Sequence, residues 1–405
     1  MTSRKMTNRP NNPPRILVTL SHYVPSVKAG GPVRSIENLV EALGDEYEFR
    51  IVTSNHDLRD SNPFPGIVCD TWQRVGKAMV MYVSASQIAS LHLLRVFRDT
   101  PYDLLYLNGY FPPKWTLLPL AFRKIGLIPT TPVLVAPRGD LTPGSRAIRA
   151  KKKRAFLFIE KYLGLFREVR YQATAETEKI DIERTLELFP SGRRSCICIA
   201  RNLPSFGPRN SGAERRTKQR GCVRIIYLSR IAPVKNLFGA LSMLDSLEGA
   251  VQFNIYGPIE DETYWNLCLD QIAKLPANVQ VDYRGPVERE QVFERFFESD
   301  LLLLPTHAEN FGHVIVEAMA AGCPLLISDR TPWRDLETAG VGWDLPLEEP
   351  DRFREALQRC IDMDPQEHNG MRLRAEEYAR ILFEKAEGVQ EHRDLFQSAL
   401  SMGSP

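Results

Sequence analysis

THAENFGHVIVEAMAAGCPLLISD, residues 306–329, decides the fold. It follows the apolar run DLLLLP (300–305), which predicts a buried strand ending at Pro305. A short polar loop then carries Glu309, Asn310, Phe311 and Gly312. A helical pattern starts near His313, and a second apolar run, PLLISD (324–329), closes the unit. Strand, loop, helix and strand in this order predict one step of a parallel α/β sheet.

The same texture extends in both directions. VRIIYLS (223–229), VQFNIYG (251–257) and VQVDYRG (279–285) read as further buried strands, with helical patterns between most of them. Upstream, ILVTL (16–20), FRIVTS (49–54), AMVMYVS (78–84), DLLYLN (103–108) and PVLVAP (132–137) form a first series, and a helical pattern covers Pro32 to Leu43. Between the two series PSFGPRNSGAERRTKQRG (204–221) is polar, charged and rich in Pro and Gly, as a linker would be. The expectation is an α/β protein of two Rossmann-like domains facing each other across a cleft. Ligands of such sheets bind outside the carboxyl ends of the strands, so the loops there are the ones to inspect.

In the deciding stretch, the exposed N–H groups and positive dipole end of the helix near His313 make an anion site. Glu317 lies among Val314, Ile315, Val316, Ala318, Met319 and Ala320. A carboxylate in that company needs donors, and a ribose diol offers two hydroxyls to one carboxylate. The plainer alternatives are a helix cap for Glu309 and a buried ion pair for Glu317.

Glu309-Asn-Phe-Gly-His-Val-Ile-Val-Glu317, with Ala-Gly-Cys-Pro at 321–324, resembles the E-x7-E signature of family 4 retaining glycosyltransferases of the GT-B fold. The resemblance implies that Glu309 contacts a donor sugar. It implies that the amides of Asn310, Phe311 and Gly312 hold the diphosphate and sugar hydroxyls, and that Glu317 binds the ribose. It also implies an acceptor domain at 15–203, the linker at 204–221, a nucleotide-sugar donor domain at 222–380, and a helix at 381–405 crossing back to the first domain.

Three further loops fit that picture. SRIAPVKN follows the strand IIYLS and places Arg230 and Lys235 where a departing diphosphate builds charge. The family carries an Arg and a Lys here within G-R-x4-K-G; this chain has Ser229 before the Arg and Asn236 after the Lys. A solvated pair of loop charges is the alternative. HYVPSVKAGG (22–31) ends in Gly30-Gly31 before a helix, so backbone can approach a phosphate closely, although a plain turn would look the same. In APRGDLTPG, Arg138-Gly139-Asp140 directly follow a strand. Relatives with a His near this position use it at the donor sugar; here Arg138 or Asp140 is the nearest polar candidate. Base recognition would fall near Gly257 and Gly285, each at a strand end.

The expected site is therefore Arg230, Lys235, Glu309 and Arg138 for catalysis, and Gly30, Gly31, Gly257, Gly285, Asn310, Phe311, Gly312 and Glu317 for the donor. No metal or other cofactor is expected. The acidic clusters Asp57 to Asp60 and Glu260 to Glu262 lack a D-x-D pattern in the right context.

Bulk composition narrows the setting. The 405 residues exceed what one core usually holds, and 43% apolar with 25% charged is ordinary for a globular chain. Basic and acidic residues number 52 and 50, so there is no global field of the kind a nucleic-acid binder shows. Seven cysteines without CxxC spacing point to a reducing compartment, and Cys196 and Cys198 alternate with Ile197 and Ile199 as same-face strand residues. No apolar run reaches about 18 residues, and residues 1–14 read as a disordered tail with no apolar stretch behind their basic start. The basic run Arg146 to Arg154 reads equally as a solvated face or as a surface for anionic lipid.

The reading is a cytoplasmic, possible peripheral-membrane, retaining glycosyltransferase. The resemblance implies transfer of a sugar from a nucleotide-diphosphate sugar to a glycan or lipid-linked acceptor, in surface-polysaccharide synthesis. A sugar-nucleotide epimerase and a non-catalytic sugar-nucleotide or glycan-binding relative remain the alternatives. A nicotinamide dehydrogenase ranks low, because no G-x-G-x-x-G follows the first strand.

Overall fold

The computed structural model describes residues 12–84, 90–142, 150–188, 196–204, 216–384 and 387–401. Residues 1–11 of the tail, 205–215 of the linker and 146–149 of the basic run lie outside the described residues.

The chain divides into two compact units. One comprises residues up to 23, 36–201 and 389 onward; the other comprises 24–35 and 202–388. The first holds β1 (Arg15–Thr19), β2 (Glu48–Ser54), β3 (Trp72–Val75), β4 (Ala78–Val83), β5 (Leu104–Asn108), β6 (Val133–Ala136), β7 (Val169–Ala173) and β8 (Cys196–Ile199) in one sheet, ordered β3-β4-β2-β1-β5-β6-β7-β8. All neighbours pair parallel except β3 with β4, which form a hairpin turned at Gly76. Helices α1 (Gly31–Leu43), α2 (Ser90–Asp99), α3 (Leu118–Lys124), α4 (Ala150–Leu163) and α5 (Glu176–Leu188) connect the strands. β5 and β6 are buried at every position, as strands covered on both faces must be.

The second sheet is all parallel. It is built from β9 (Cys222–Leu228), β10 (Ala250–Tyr256), β11 (Val279–Gly285), β12 (Leu301–Leu304), β13 (Leu325–Ser328) and β14 (Gly342–Leu345), ordered β11-β10-β9-β12-β13-β14. Its helices are α6 (Leu237–Ser242), α7 (Glu262–Ile272), α8 (Arg289–Phe297), α9 (His313–Ala320), α10 (Leu336–Ala339), α11 (Pro350–Asp362) and α12 (Pro365–Glu384); α13 (Glu387–Leu400) is the last helix among the described residues. Strand order reverses between β9 and β12, so the loops leaving those two strands diverge to opposite faces. That reversal is where an open α/β sheet opens a binding crevice. The two loops are the ones that carry Arg230 and Lys235, and Glu309 to Gly312.

Three strands went unread in the sequence. β3 is a four-residue edge strand, β14 (GWDL) is short and holds Asp344, and β7 (VRYQA) breaks its apolar run with Arg170 and Gln172. Gln172 is nevertheless fully buried, because its amide donates to the Ala200 carbonyl and its oxygen accepts from the Tyr106 hydroxyl. Cys196 and Cys198 do share a face of β8, with sulfurs 3.7 Å apart, and all seven cysteines are free. The C-terminal segment that groups with the first unit begins at residue 389, within α13, later than the boundary of 381 read from the pattern.

Candidate functional site

Lys235 ends a single 3₁₀ turn, Pro233–Lys235, just past β9. Its carbonyl accepts from the buried Tyr227 hydroxyl at 3.1 Å, which fixes the turn. Asn236 then takes a left-handed conformation (φ 54) and caps α6, its side chain accepting from the Gly239 N–H. This explains the departure from the Gly that the resemblance expects there. Asn tolerates the left-handed region and adds a cap that Gly cannot supply.

The Lys235 ammonium lies 2.6 Å from Glu309 Oε2, with the two side chains only 12% and 17% exposed. The other oxygen, Oε1, accepts the Asn310 N–H at 3.1 Å. Burial alone would raise the Glu309 pKa, but Lys235, with help from His313 and the Asn310 N–H, outweighs it and holds the carboxyl below its usual range. Two residues read from separate motifs thus form one charge pair.

Gly312 precedes α9 in the left-handed region (φ 76). An added Cβ would come within 2.8 Å of Ile315 and 3.1 Å of Glu309, so the loop requires glycine. No side chain caps this helix, which leaves its first N–H groups and positive end beside the Lys235–Glu309 pair. Phe311 is held by Trp333, whose indole N–H donates to the Phe311 carbonyl, and by ring contacts to His313 and Trp333 at 4.8 and 5.7 Å.

Glu317, one helical turn further in, is partly buried. Burial raises its pKa, opposed by the charges of Arg34 and Arg289. Among the described residues its carboxylate has no hydrogen bond or close ion pair. The sequence reading required donors for this group, and the protein's own described groups do not provide them. Arg34 and Arg289 escaped that reading; the signal available was the position of each in the first turn of a helix that follows a sheet strand and its loop.

Arg230 forms an ion pair with Glu260. Next to Glu260, Asp261 caps α7 by accepting the Tyr264 N–H. Among the described residues no group of three or more His, Cys, Asp or Glu could hold a metal ion. Gly30 (φ 67) places its Cβ position 3.9 Å from Arg230 Nε. The hydroxyl of Ser35 donates to the Gly31 carbonyl at 3.0 Å, which leaves its oxygen to accept from His313 Nε2 at 3.1 Å. The Gly30-Gly31 loop was read as part of the N-terminal half, yet residues 24–35 group with the second unit. The Ser35–His313 bond and the closeness of Gly30 to Arg230 accord with that grouping.

Gly257 and Gly285 lie at the ends of β10 and β11, the Gly257 N–H donating to the Gly285 carbonyl at 2.9 Å. At Gly257 (φ 135) a Cβ would sit 1.9 Å from the Ser229 carbonyl, so no other residue fits against the β9 loop. Gly285 (φ 75) has open space around it.

Arg138 sits elsewhere, in the first unit. Its guanidinium donates to Asn108 Oδ1 at 3.0 Å and to the Tyr106 hydroxyl at 2.8 Å, and its φ of 54 is held by a tight turn. Gly139 in that turn donates to the buried Glu178 at 2.7 Å. Asp140 accepts the Tyr110 N–H at 2.7 Å; burial raises its pKa against that bond. The structure thus gives both polar candidates of this loop anchoring partners within their own unit.

Against this geometry, residues 214–381 match the family described as glycosyl transferases group 1. A curated relative, D-inositol 3-phosphate glycosyltransferase 1 of Catenulispora acidiphila, is 29% identical over 139 residues. The match covers 33% of this chain and 33% of the relative, so the two are aligned over only a third of either length. Among solved structures, sucrose-phosphate synthase from Thermosynechococcus elongatus superposes with a TM-score of 0.69 at 15% identity, over 96% of this chain and 100% of that one. Anabaena HepE in complex with UDP and glucose superposes with a TM-score of 0.68 at 16% identity, over 95% and 99%. These likenesses establish the fold as GT-B.

Proposed function

We propose that this GT-B chain, whose residues 214–381 carry the group 1 glycosyl transferase domain, is a retaining glycosyltransferase that uses a nucleotide-diphosphate sugar. The observation that supports it most is a convergence at the β9/β12 strand-order reversal: two cations, Arg230 and Lys235, and the uncapped start of α9. Anionic diphosphate is the ligand such a constellation stabilises.

In this reading the diphosphate lies against the α9 N-terminus and the amides of Asn310, Phe311 and Gly312. The ribose hydroxyls donate to Glu317. The glycines at 257 and 285 admit the base. When the sugar–phosphate bond breaks, negative charge grows on the leaving oxygen, and fixed cations then act most strongly. Glu309, bridged to Lys235, is placed to accept from a sugar hydroxyl. Its two oxygens each accept one bond, from Lys235 and from the Asn310 N–H, which leaves lone pairs for a sugar hydroxyl, and this reading gives it a binding role and not a nucleophile's. The mechanism this reading adopts is same-face displacement through an oxocarbenium-like state, without metal.

The acceptor is a glycan or lipid-linked glycan of surface-polysaccharide synthesis. A peripheral contact of the basic run 146–154 with anionic membrane would bring such an acceptor within reach. A cytoplasmic setting agrees with seven free cysteines. Among the described residues no helix is long and apolar enough to cross a membrane.

A thermal-shift panel of UDP, GDP, ADP and their sugars, with and without chelator, tests the donor site. One nucleotide is expected to raise the melting temperature unchanged by chelator, by mass action on the native state. No shift with any nucleotide would favour a non-catalytic glycan-binding relative, and a shift without turnover a non-catalytic sugar-nucleotide-binding one. Donor consumed without acceptor to give an isomer would favour the epimerase.

A further inference from the structure

The outer face of α4 has no partner among the described residues, and its chemistry is graded along its length. Residues at helical spacing from 151 through 155, 158, 159 and 162 to 163 share one side. At the N-terminal end Lys151, Lys152 and, at its border, Arg154 are exposed. At the C-terminal end Phe158, Ile159, Tyr162 and Leu163 are exposed, Phe158 by 56% and Tyr162 by 70%, with the two rings in edge contact at 5.6 Å.

The opposite side accounts for how the helix is held. Leu157 and Glu160 are buried, Glu160 accepting the Phe166 N–H at 2.9 Å, and Lys153 turns inward over the Phe111 ring at 4.8 Å. Lys124, at the end of α3, donates to the Leu163 carbonyl, and the next residues present Ile125, 67% exposed, and Leu127. The helix is therefore fixed on its inner side while it displays large apolar groups outward. Scattered exposed apolar residues are ordinary, but a contiguous cluster beside a row of cations is not.

We propose that the outer face of α4, with the Ile125–Leu127 turn, docks on the surface of an anionic lipid bilayer. Lysines 151 and 152 and Arg154 meet the headgroup charge, and Phe158, Ile159, Tyr162 and Leu163 enter the boundary between headgroups and acyl chains. The charge decides the occupant: a second copy of this chain would set cations against cations if parallel, or bury cations against apolar groups if antiparallel, whereas an anionic lipid surface complements the charged end and accepts the other. Neither signal alone gives stable attachment, and the face carries both. This extends the proposed contact of the basic run with anionic membrane by its apolar half, and it stands independently of sugar transfer.

Vesicle sedimentation of the full chain tests it, with phosphatidylcholine vesicles lacking or containing phosphatidylglycerol. Wild type is expected to sediment with the anionic vesicles and far less with the neutral ones. K151Q/K152Q should lower the partition coefficient roughly 25-fold, about fivefold per lysine. F158S/Y162S should lower it by more than about tenfold on the same vesicles. Both variants alter exposed groups, so their melting temperatures should match wild type. Vesicle binding unchanged in F158S/Y162S would overturn the apolar insertion while leaving a purely electrostatic contact. A dimer in light scattering that F158S/Y162S dissociates would overturn it in favour of a second copy, and absence of binding to any vesicle would overturn it outright.

Discussion

Lys235→Ala is expected to lower turnover by about two to three orders of magnitude, the usual loss when one fixed group at a developing charge is removed. The effect should fall on kcat and not on donor affinity alone, since the ammonium is worth most when the bond breaks. A second consequence is structural. Glu309 lies below its usual carboxyl range only because Lys235, aided by His313 and the Asn310 N–H, outweighs burial. A depressed folded pKa contributes stability above the ordinary carboxyl pKa, and that stability is lost as pH falls through the folded value. Without the lysine, burial dominates and this contribution shrinks or changes sign at neutral pH. The loss should be about 2–3 kcal/mol, below the ~3–5 kcal/mol of a fully buried broken pair. Steady-state kinetics with melting curves across pH check both parts. Wild-type turnover in the alanine variant would end the leaving-group role. Lost turnover with an unchanged pH dependence of melting would show that Lys235 and Glu309 are not coupled as drawn.

The deciding stretch was legible because its physics is local. Four consecutive leucines at 301–304 and the run at 325–328 are buried at every position, and a buried parallel strand spells itself as an unbroken apolar run. Gly312 entered through the resemblance alone, and the structure supplies its physical reason: the loop-to-helix corner there is left-handed. What local pattern could not carry is partnership at long range. That Lys235 would reach Glu309, that Arg230 would take Glu260, and that Ser35 would bridge Gly31 and His313 depends on how strands order in the sheet, which no periodicity encodes. The Gly30-Gly31 loop was therefore assigned by its place in the chain to the half whose strand it follows, whereas its contacts group it with the other. β7 was missed because Arg170 and Gln172 look unburiable until the Tyr106 hydroxyl and Ala200 carbonyl satisfy Gln172.

Arg138 shows the same limit from the other side. Its position after β6 marked it as polar and strand-terminal, and so as a candidate for chemistry. Its donations to Asn108 and Tyr106 tie the guanidinium to β5 within the first unit, a partnership that no local pattern announces. A non-glycine residue at φ 54 costs energy, and such residues persist where the surroundings over-determine them. Here the Gly139 bond to Glu178 supplies part of that determination.

Glu317→Gln should move affinity and stability in opposite directions. The carboxylate of Glu317 has no hydrogen bond among the described residues, while burial raises its pKa against the pull of Arg34 and Arg289. For an acid whose folded pKa is raised, the native state is favoured with the proton on. The cost of ionising it sets in as pH climbs above the ordinary value of about 4.3 and is complete above the folded pKa. The glutamine variant escapes that cost, so its melting temperature should exceed wild type at neutral pH and converge with it below about pH 4. Nucleotide binding should go the other way. Two ribose hydroxyls donating to a carboxylate make charge-assisted bonds worth about 1.5–3 kcal/mol each, and an amide oxygen replaces them only in part. A loss of about 10- to 100-fold in nucleotide affinity by calorimetry is the expected result. Higher stability with undiminished affinity would mean that Glu317 is a strained acid with no ribose to bind. Lower stability would mean that it has a protein partner after all, and the donor site would then have to be rebuilt around Arg34 and Arg289. Stability gained and affinity lost together identify a group that the fold keeps uncompensated for its ligand.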